Sequence, residues 1–276
     1  MQDYDPKWIR RYYDDYGLQE WNRWELSPVE RIKWFVHLHH LRIHVSENDR
    51  VLEIGAGAGR FTRELATRVD SIVVGDISPG QLELNRKHAS EYGFASAVED
   101  WVECDVCALD DSFPKAAFDA VVCYGGPLSY VFDQREIALE QMVRIVKPGG
   151  ILLLSVMSLW GSVHQFLEGV LRVPIETNRD IVASGNLVPS NIGANRHYCH
   201  MFRADELREL LERHGLEILT LSASNSLSTH HAELLEELGE DDPKWAHLLE
   251  MEIEACQAPG CLDIGSHLIA ICRTPV

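Results

Sequence analysis

The chain has no apolar run near the length needed to cross a bilayer, no internal repeat and no low-complexity tract. These absences argue against a membrane-spanning, solenoid or disordered architecture. Basic charge is scarce too: 25 Lys and Arg stand against 43 Asp and Glu, a formal net charge of −18. Nucleic acids are held mainly by basic patches, so no nucleic-acid partner is expected, and a neutral or cationic small molecule is the expected one. Met1-Gln2-Asp3-Tyr4-Asp5 offers neither the basic start nor the apolar core of a secretory signal. Seven irregularly spaced cysteines fit reduced thiols in a cytoplasm. Cys104 and Cys107 form a lone C-x-x-C without the second pair a zinc site needs, and no metal is expected.

What is present is alternation. After residue 50, the pattern predicts strands near 51–54, 71–75, 98–103, 118–123, 150–156, 216–222 and 266–273. Helices near 60–68, 79–92, 134–146 and 204–214 separate them. That order predicts an α/β fold, a doubly wound, mostly parallel sheet with helices on both faces and a ligand crevice at the strands' C-terminal ends.

Val51-Leu52-Glu53-Ile54-Gly55-Ala56-Gly57-Ala58-Gly59-Arg60-Phe61 joins an apolar strand to a glycine loop and then to a helix. Glycines let backbone approach a ligand closely, and the helix start offers free N–H groups. The dinucleotide pattern G-x-G-x-x-G would need Gly or Ala at Arg60, and the phosphate-loop ending Gly-Lys-Ser/Thr is absent. The second strand ends in Asp76, where one carboxylate can accept two ribose hydroxyls. An N-cap role is the plain alternative there, although Ser78, followed by Pro79, suits it better.

The sequence Glu53-x-Gly55-x-Gly57-x-Gly59 resembles the first motif of the class I S-adenosylmethionine-dependent methyltransferases. Asp76, the strand end Val102–Val106 with Asp105, the segment Phe118–Tyr130 and the turn Arg144–Gly150 follow in that family's order. The resemblance implies a seven-stranded Rossmann-like sheet with its last strand antiparallel at the far edge, and S-adenosylmethionine as cofactor, leaving as S-adenosylhomocysteine. It places Glu53 near the cofactor ammonium, Asp76 on the ribose and Asp105 on the adenine amino group, with the Val106 N–H on the ring. The implied cofactor site also includes Gly55, Ala56, Gly57, Gly59, Arg60, Phe61, Ile77, Gln81, Cys123, Tyr124 and Gly125.

Residues 1–48 are expected to form a helical cap on a domain covering 49–276, with lid insertions at about 158–201 and 223–264. These segments should choose the acceptor. Tyr12, Tyr13, Tyr16, Trp21 and Trp24 recur at helical spacing, as an aromatic lid or as helix packing requires. His37, His40 and His44 lie near one helix face, but Arg31 and Lys33 nearby and the lack of an accompanying carboxylate on the later turns favour a solvated or partly buried face over metal binding. Arg31 is the basic residue that the resemblance would bring to the cofactor carboxylate. His197 and His200, on the segment 195–202 returning from the insertion, are the expected general bases, and Tyr16 and Tyr130 the further catalytic candidates. The expected activity is methyl transfer to O, N, S or C of a small molecule; the alternative is a sensor or partner subunit that binds the cofactor without turning it over.

Overall fold

The computed structural model describes residues 3–194 and 196–276; Met1, Gln2 and Asn195, which begin two of the segments singled out above, lie outside them. Nine strands occur among the described residues: β1 Val51–Ile54, β2 Ile72–Asp76, β3 Val98–Glu103, β4 Phe118–Cys123, β5 Val146–Met157, β6 Asn186–Leu187, β7 Cys199–His200, β8 Glu217–Ala223 and β9 His267–Arg273. Seven build one sheet in the order β3-β2-β1-β4-β5-β9-β8. Every residue of β1 and β2 is buried, as strands covered by helices on both faces require.

β1 pairs in parallel with β2 on one side and β4 on the other, so the chain winds outward in both directions from that point. The crevice lies above this reversal. β9 runs antiparallel to both β5 and β8. It is therefore inserted between them, and β8, not the last strand, forms the edge: this corrects the expected far-edge position. The burial agrees, since β9 is apolar and buried from Leu268 to Cys272 whereas β8 opens on an exposed Glu217.

The helices start where their caps dictate. Ser78 Oγ accepts from Gln81 N at 3.0 Å ahead of Pro79–Glu91, and Ser27 Oγ from Glu30 N at 3.3 Å ahead of Pro28–His44. The latter helix buries Val36, Leu38 and Leu41 in one core layer with Val51, Phe61 and Ile271. On the other face of the sheet, Leu139, Met142, Phe202 and Leu207 pack on Phe118 and Leu154. The helix Pro6–Tyr16, hereafter α1, buries only Ile9 and lies over the crevice.

Candidate functional site

The crevice holds a cavity at the C-terminal ends of β1, β2 and β4. Its floor is backbone. Gly55 has φ +66°, and a Cβ there would lie 2.4 Å from Pro127 Cγ; Gly57 has φ +54°, and its Cβ would meet Glu20 Cγ at 3.0 Å. Both positions need a left-handed backbone and have no room for a side chain.

Asp76 ends β2 against this floor. Its Oδ2 accepts from Gly57 N and its Oδ1 from Ser78 N, both at 2.8 Å, so one carboxylate ties the glycine loop to the next helix start. Burial pushes its pKa up to about 6, against the pull of the Ser78 and Gly57 amides. Ile77, Cys104 and Val106 continue one wall, and Gly125, Pro127 and Tyr130 form the opposite side.

The roof is α1 and the turn after it. Tyr4, Ile9, Tyr13 and Glu20 line the cavity. Polar tethers hold the roof: Asp14 Oδ1 accepts from Ser78 Oγ at 2.6 Å and from Gly80 N at 3.0 Å, and Gln81 Nε2 donates to the Tyr13 and Gly17 carbonyls at 2.9 and 3.0 Å. Glu20 forms a 2.8 Å ion pair with Arg23, whose guanidinium lies 4.3 Å from the centre of the Trp24 ring. Burial pushes the Glu20 pKa up while Arg23 opposes it.

Gly55, Gly57, Asp76, Ile77, Val106, Gly125 and Tyr130 thus share one cavity. Ala56, Arg60, Phe61 and Tyr124 line a smaller adjoining one, which shares Glu20 and Gly55 with the first. Asp105 lines an outer depression that shares Ile77 and Cys104 with the cavity.

Other expected residues are placed elsewhere, each for a physical reason. Glu53 is 2% exposed, accepts from Thr62 Oγ1 at 2.6 Å and does not line the cavity. Gln81 Nε2 is taken by the roof tethers while its Oε1 is buried with no hydrogen-bond partner among the described residues, Gly59 begins the helix Arg60–Leu65 beside Asn85, and Cys123 is buried in the core beneath the sheet's end. Tyr16 stacks on Tyr12 in a shallow outer depression. His200 has both ring nitrogens engaged, Nδ1 with Asn186 Oδ1 at 2.7 Å and Nε2 with Glu206 Oε1 at 2.8 Å, which fixes it as a strut of the β6–β7 hairpin and corrects its assignment as a base. Arg31 pairs with Glu240 and Glu236 rather than facing the cavity.

Sequence reasoning missed Tyr4, Ile9 and the Glu20–Arg23 pair. The N-capping Asp5 before Pro6 marks where α1 starts, but which of its faces meets the crevice is a tertiary fact.

Burial pushes the Glu53 pKa up to about 8, with Thr62 pulling it down. Because the folded value lies above the ordinary 4.5, its contribution to stability is full below that value and is lost as pH rises through about 8. Glu53→Gln keeps an acceptor for Thr62 and removes this titration. The ligand-free variant should therefore melt higher than the parent at pH 8 and show a shallower fall of Tm between pH 5 and 8. Equal slopes in parallel calorimetric scans would sink this assignment.

On the acceptor side, His197 Nε2 lies 3.0 Å from Tyr130 Oη. Burial lowers the His197 pKa to about 4, with Arg23 adding to the effect. The neutral imidazole can accept a hydrogen bond from the tyrosine hydroxyl, whose own pKa burial raises. Tyr124 Oη, His37 Nε2 and His267 Nε2 are buried with no hydrogen-bond partner among the described residues, and the His37 ring lies 5.0 Å from Tyr124 and 6.3 Å from His267. No group of three or more His, Cys, Asp or Glu that could hold a metal occurs among the described residues, and all seven cysteines are free thiols.

Residues 51–150 match the model of a methyltransferase domain family. The ubiquinone/menaquinone biosynthesis C-methyltransferase UbiE of Xanthomonas oryzae pv. oryzae is 37% identical over 109 residues, 38% of this chain and 41% of that protein. The chain thus spans about two fifths of the length of the curated relatives it matches. An S-adenosylmethionine-dependent methyltransferase structure from Methanosarcina mazei superposes with TM-score 0.59 at 19% identity, covering 86% of this chain and 97% of the other. The N-methyltransferase NodS from Bradyrhizobium japonicum, in complex with S-adenosylhomocysteine, gives 0.52 at 20% identity over 92% and 91%. Residues 51–150 are thus similar to a methyltransferase domain family, and the chain has the seven-stranded, Rossmann-like fold of the class I S-adenosylmethionine-dependent methyltransferases.

Proposed function

We propose that this protein transfers the methyl group of S-adenosylmethionine to a small-molecule acceptor by in-line displacement. The observation that carries the reading is the meeting, in one cavity, of a Cβ-free glycine floor, the Asp76 carboxylate and Glu20, whose ion-pair partner Arg23 lines the adjoining cavity. This set fits the cofactor in parts: a diol against Asp76, close backbone approach at Gly55 and Gly57, and a zwitterionic amino-acid tail against one buried acid and one buried base. Glu20 then meets the ammonium and Arg23 the carboxylate, roles that Glu53 and Arg31 are not placed to fill.

When bound, S-adenosylmethionine supplies an electrophilic methyl on a sulfonium. The protein's work is alignment, exclusion of water and deprotonation. Tyr13, Tyr130 and Ile9 enclose the reacting end in apolar and aromatic surface. Where the acceptor carries a proton to be lost, the Tyr130 Oη–His197 Nε2 pair is the polar group that orients it. The family match ends at residue 150, so the elements that select the acceptor lie largely outside it, and the acceptor atom (O, N, S or C) is independent of the matched relatives.

Calorimetry with S-adenosylmethionine and S-adenosylhomocysteine tests the cofactor, and labelled S-adenosylmethionine with a metabolite extract tests turnover. Absence of saturable binding defeats the proposal; binding without label transfer to any small molecule defeats the catalytic half. With an acceptor in hand, His197→Ala should lower kcat roughly 100-fold while leaving S-adenosylhomocysteine affinity unchanged. An unaltered kcat would remove His197 from the mechanism.

A further inference from the structure

The N-terminal segment reaches Asp105, which lines the outer depression that shares Ile77 and Cys104 with the cavity. Tyr4 Oη donates to Asp105 Oδ1 at 2.8 Å, and the same oxygen accepts from Cys107 N at 2.8 Å. Both bonds fall on one carboxylate oxygen. Oδ2 takes neither of these two bonds, and the carboxylate cannot rotate without breaking a bond at Oδ1. Tyr4 is itself fixed, because its amide donates to Asp133 Oδ1 at 3.0 Å and its ring lines the cavity with Ile9, Ile77 and Val106. Burial beside Asp105 holds the Tyr4 hydroxyl far above its ordinary pKa, so it remains a donor at any working pH.

We infer that Tyr4 is a positioning residue for the cofactor's base: by holding Asp105 Oδ1, it presents Oδ2 to an exocyclic amino group, so that selection of adenine over a 6-oxo purine depends on docking of the N-terminal segment. The inference rests on the cofactor reading above and deepens it. A 6-amino group is a donor and satisfies a carboxylate oxygen, whereas a 6-oxo group is an acceptor and leaves two oxygens facing each other. Freed from Tyr4, the Asp105 carboxylate can turn either oxygen toward the ring or swing to solvent. Discrimination then weakens even though the carboxylate is still present. Because α1 is also tied to Ser78, Gly80 and Glu103, closure of the roof and recognition of the base become linked events.

The test compares S-adenosylhomocysteine with S-inosylhomocysteine, its 6-oxo analogue, by calorimetry on the full chain and on Tyr4→Phe, which keeps the ring and removes only the hydroxyl. The parent should prefer the adenosyl compound. Tyr4→Phe should lose about tenfold in affinity for the adenosyl compound, the scale of one hydrogen bond to a charged group, and change its affinity for the inosyl compound by less than about twofold. A role confined to packing would weaken both alike. Asp133→Ala, which releases the Tyr4 amide but leaves the hydroxyl, is the second variant, with a smaller loss of preference expected. An unchanged preference in both variants, or tighter binding of the adenosyl compound by Tyr4→Phe, overturns the inference. Failure of the parent to bind S-adenosylhomocysteine at all would instead remove the cofactor reading beneath it.

Discussion

Asp76→Ala is expected to weaken binding of S-adenosylmethionine and S-adenosylhomocysteine by about 100-fold or more, since hydrogen bonds to a charged acceptor contribute about 1.5–3 kcal/mol each. The carboxylate has two tasks that alanine cannot share. It would receive the ribose hydroxyls, and it already holds the Gly57 and Ser78 amides at 2.8 Å. Losing the second task leaves two amides unpaired and loosens the loop that forms the floor. The ligand-free variant should therefore also melt several degrees lower, at about 1–3 kcal/mol for each buried group left unsatisfied. The pH dependence has a definite sign. With its pKa at about 6, Asp76 is ionised above that value and protonated below it, so cofactor affinity in the parent should fall as pH drops through 6. Titration calorimetry between pH 5 and 8 reads this directly; an Asp76→Ala protein that binds as tightly as the parent would end the ribose assignment.

Gly55→Ala should have an effect of similar size by a different route. The new methyl would lie 2.4 Å from Pro127 Cγ, on a residue with φ +66°. Neither partner can yield cheaply. Pro127 opens the short helix Pro127–Tyr130 directly after the Gly125–Gly126 turn, and the left-handed backbone penalises any Cβ by roughly 1–2 kcal/mol. Relief requires the two halves of the floor to separate, which misplaces Gly57 toward Asp76 and Tyr130 toward the reacting end. Cofactor binding should drop below detection in calorimetry, and the melting temperature should fall. Gly239→Ala makes an informative control, because φ is +71° there too but nothing lies within 4 Å of the added methyl. It should lose stability through backbone strain alone and bind the cofactor like the parent.

The central parallel strands β1 and β4 were legible because they are buried and begin and end where the apolar runs do, at 51–54 and 118–123, whereas β3, Val98–Glu103, is an edge strand with no buried residue. Caps were equally local, as at Ser78–Pro79. Asp76 could be found from its place at a strand end, since geometry along one strand decides where that carboxylate projects. The order of β8 and β9 was less legible. Both are short β runs near the C-terminus, and which one takes the edge depends on the burial of β9 against β5, a contact between residues more than a hundred positions apart. Glu53 is a case where a tertiary contact was not legible. Its place before the glycines pointed to a ligand, but the strand's alternation turns its side chain inward, where Thr62 from the next helix meets it.

By itself, the sequence determined the strand–loop–helix units, the glycine floor and the acid at its end, because each is set by interactions within a few residues: backbone conformation, caps and the burial period of a strand. The tertiary structure decided which side chains face the cavity from outside those units. His197 and His200 are three residues apart, yet one reaches Tyr130 from the N-terminal side of a two-residue strand while the other, inside the strand, is locked between Asn186 and Glu206. Tyr4, Tyr13, Glu20 and Arg23 enter the site only because α1 is tied across the crevice to Ser78, Gly80 and Gln81, contacts spanning more than sixty residues. Local rules place a helix; only packing over distance selects the face it turns toward the ligand.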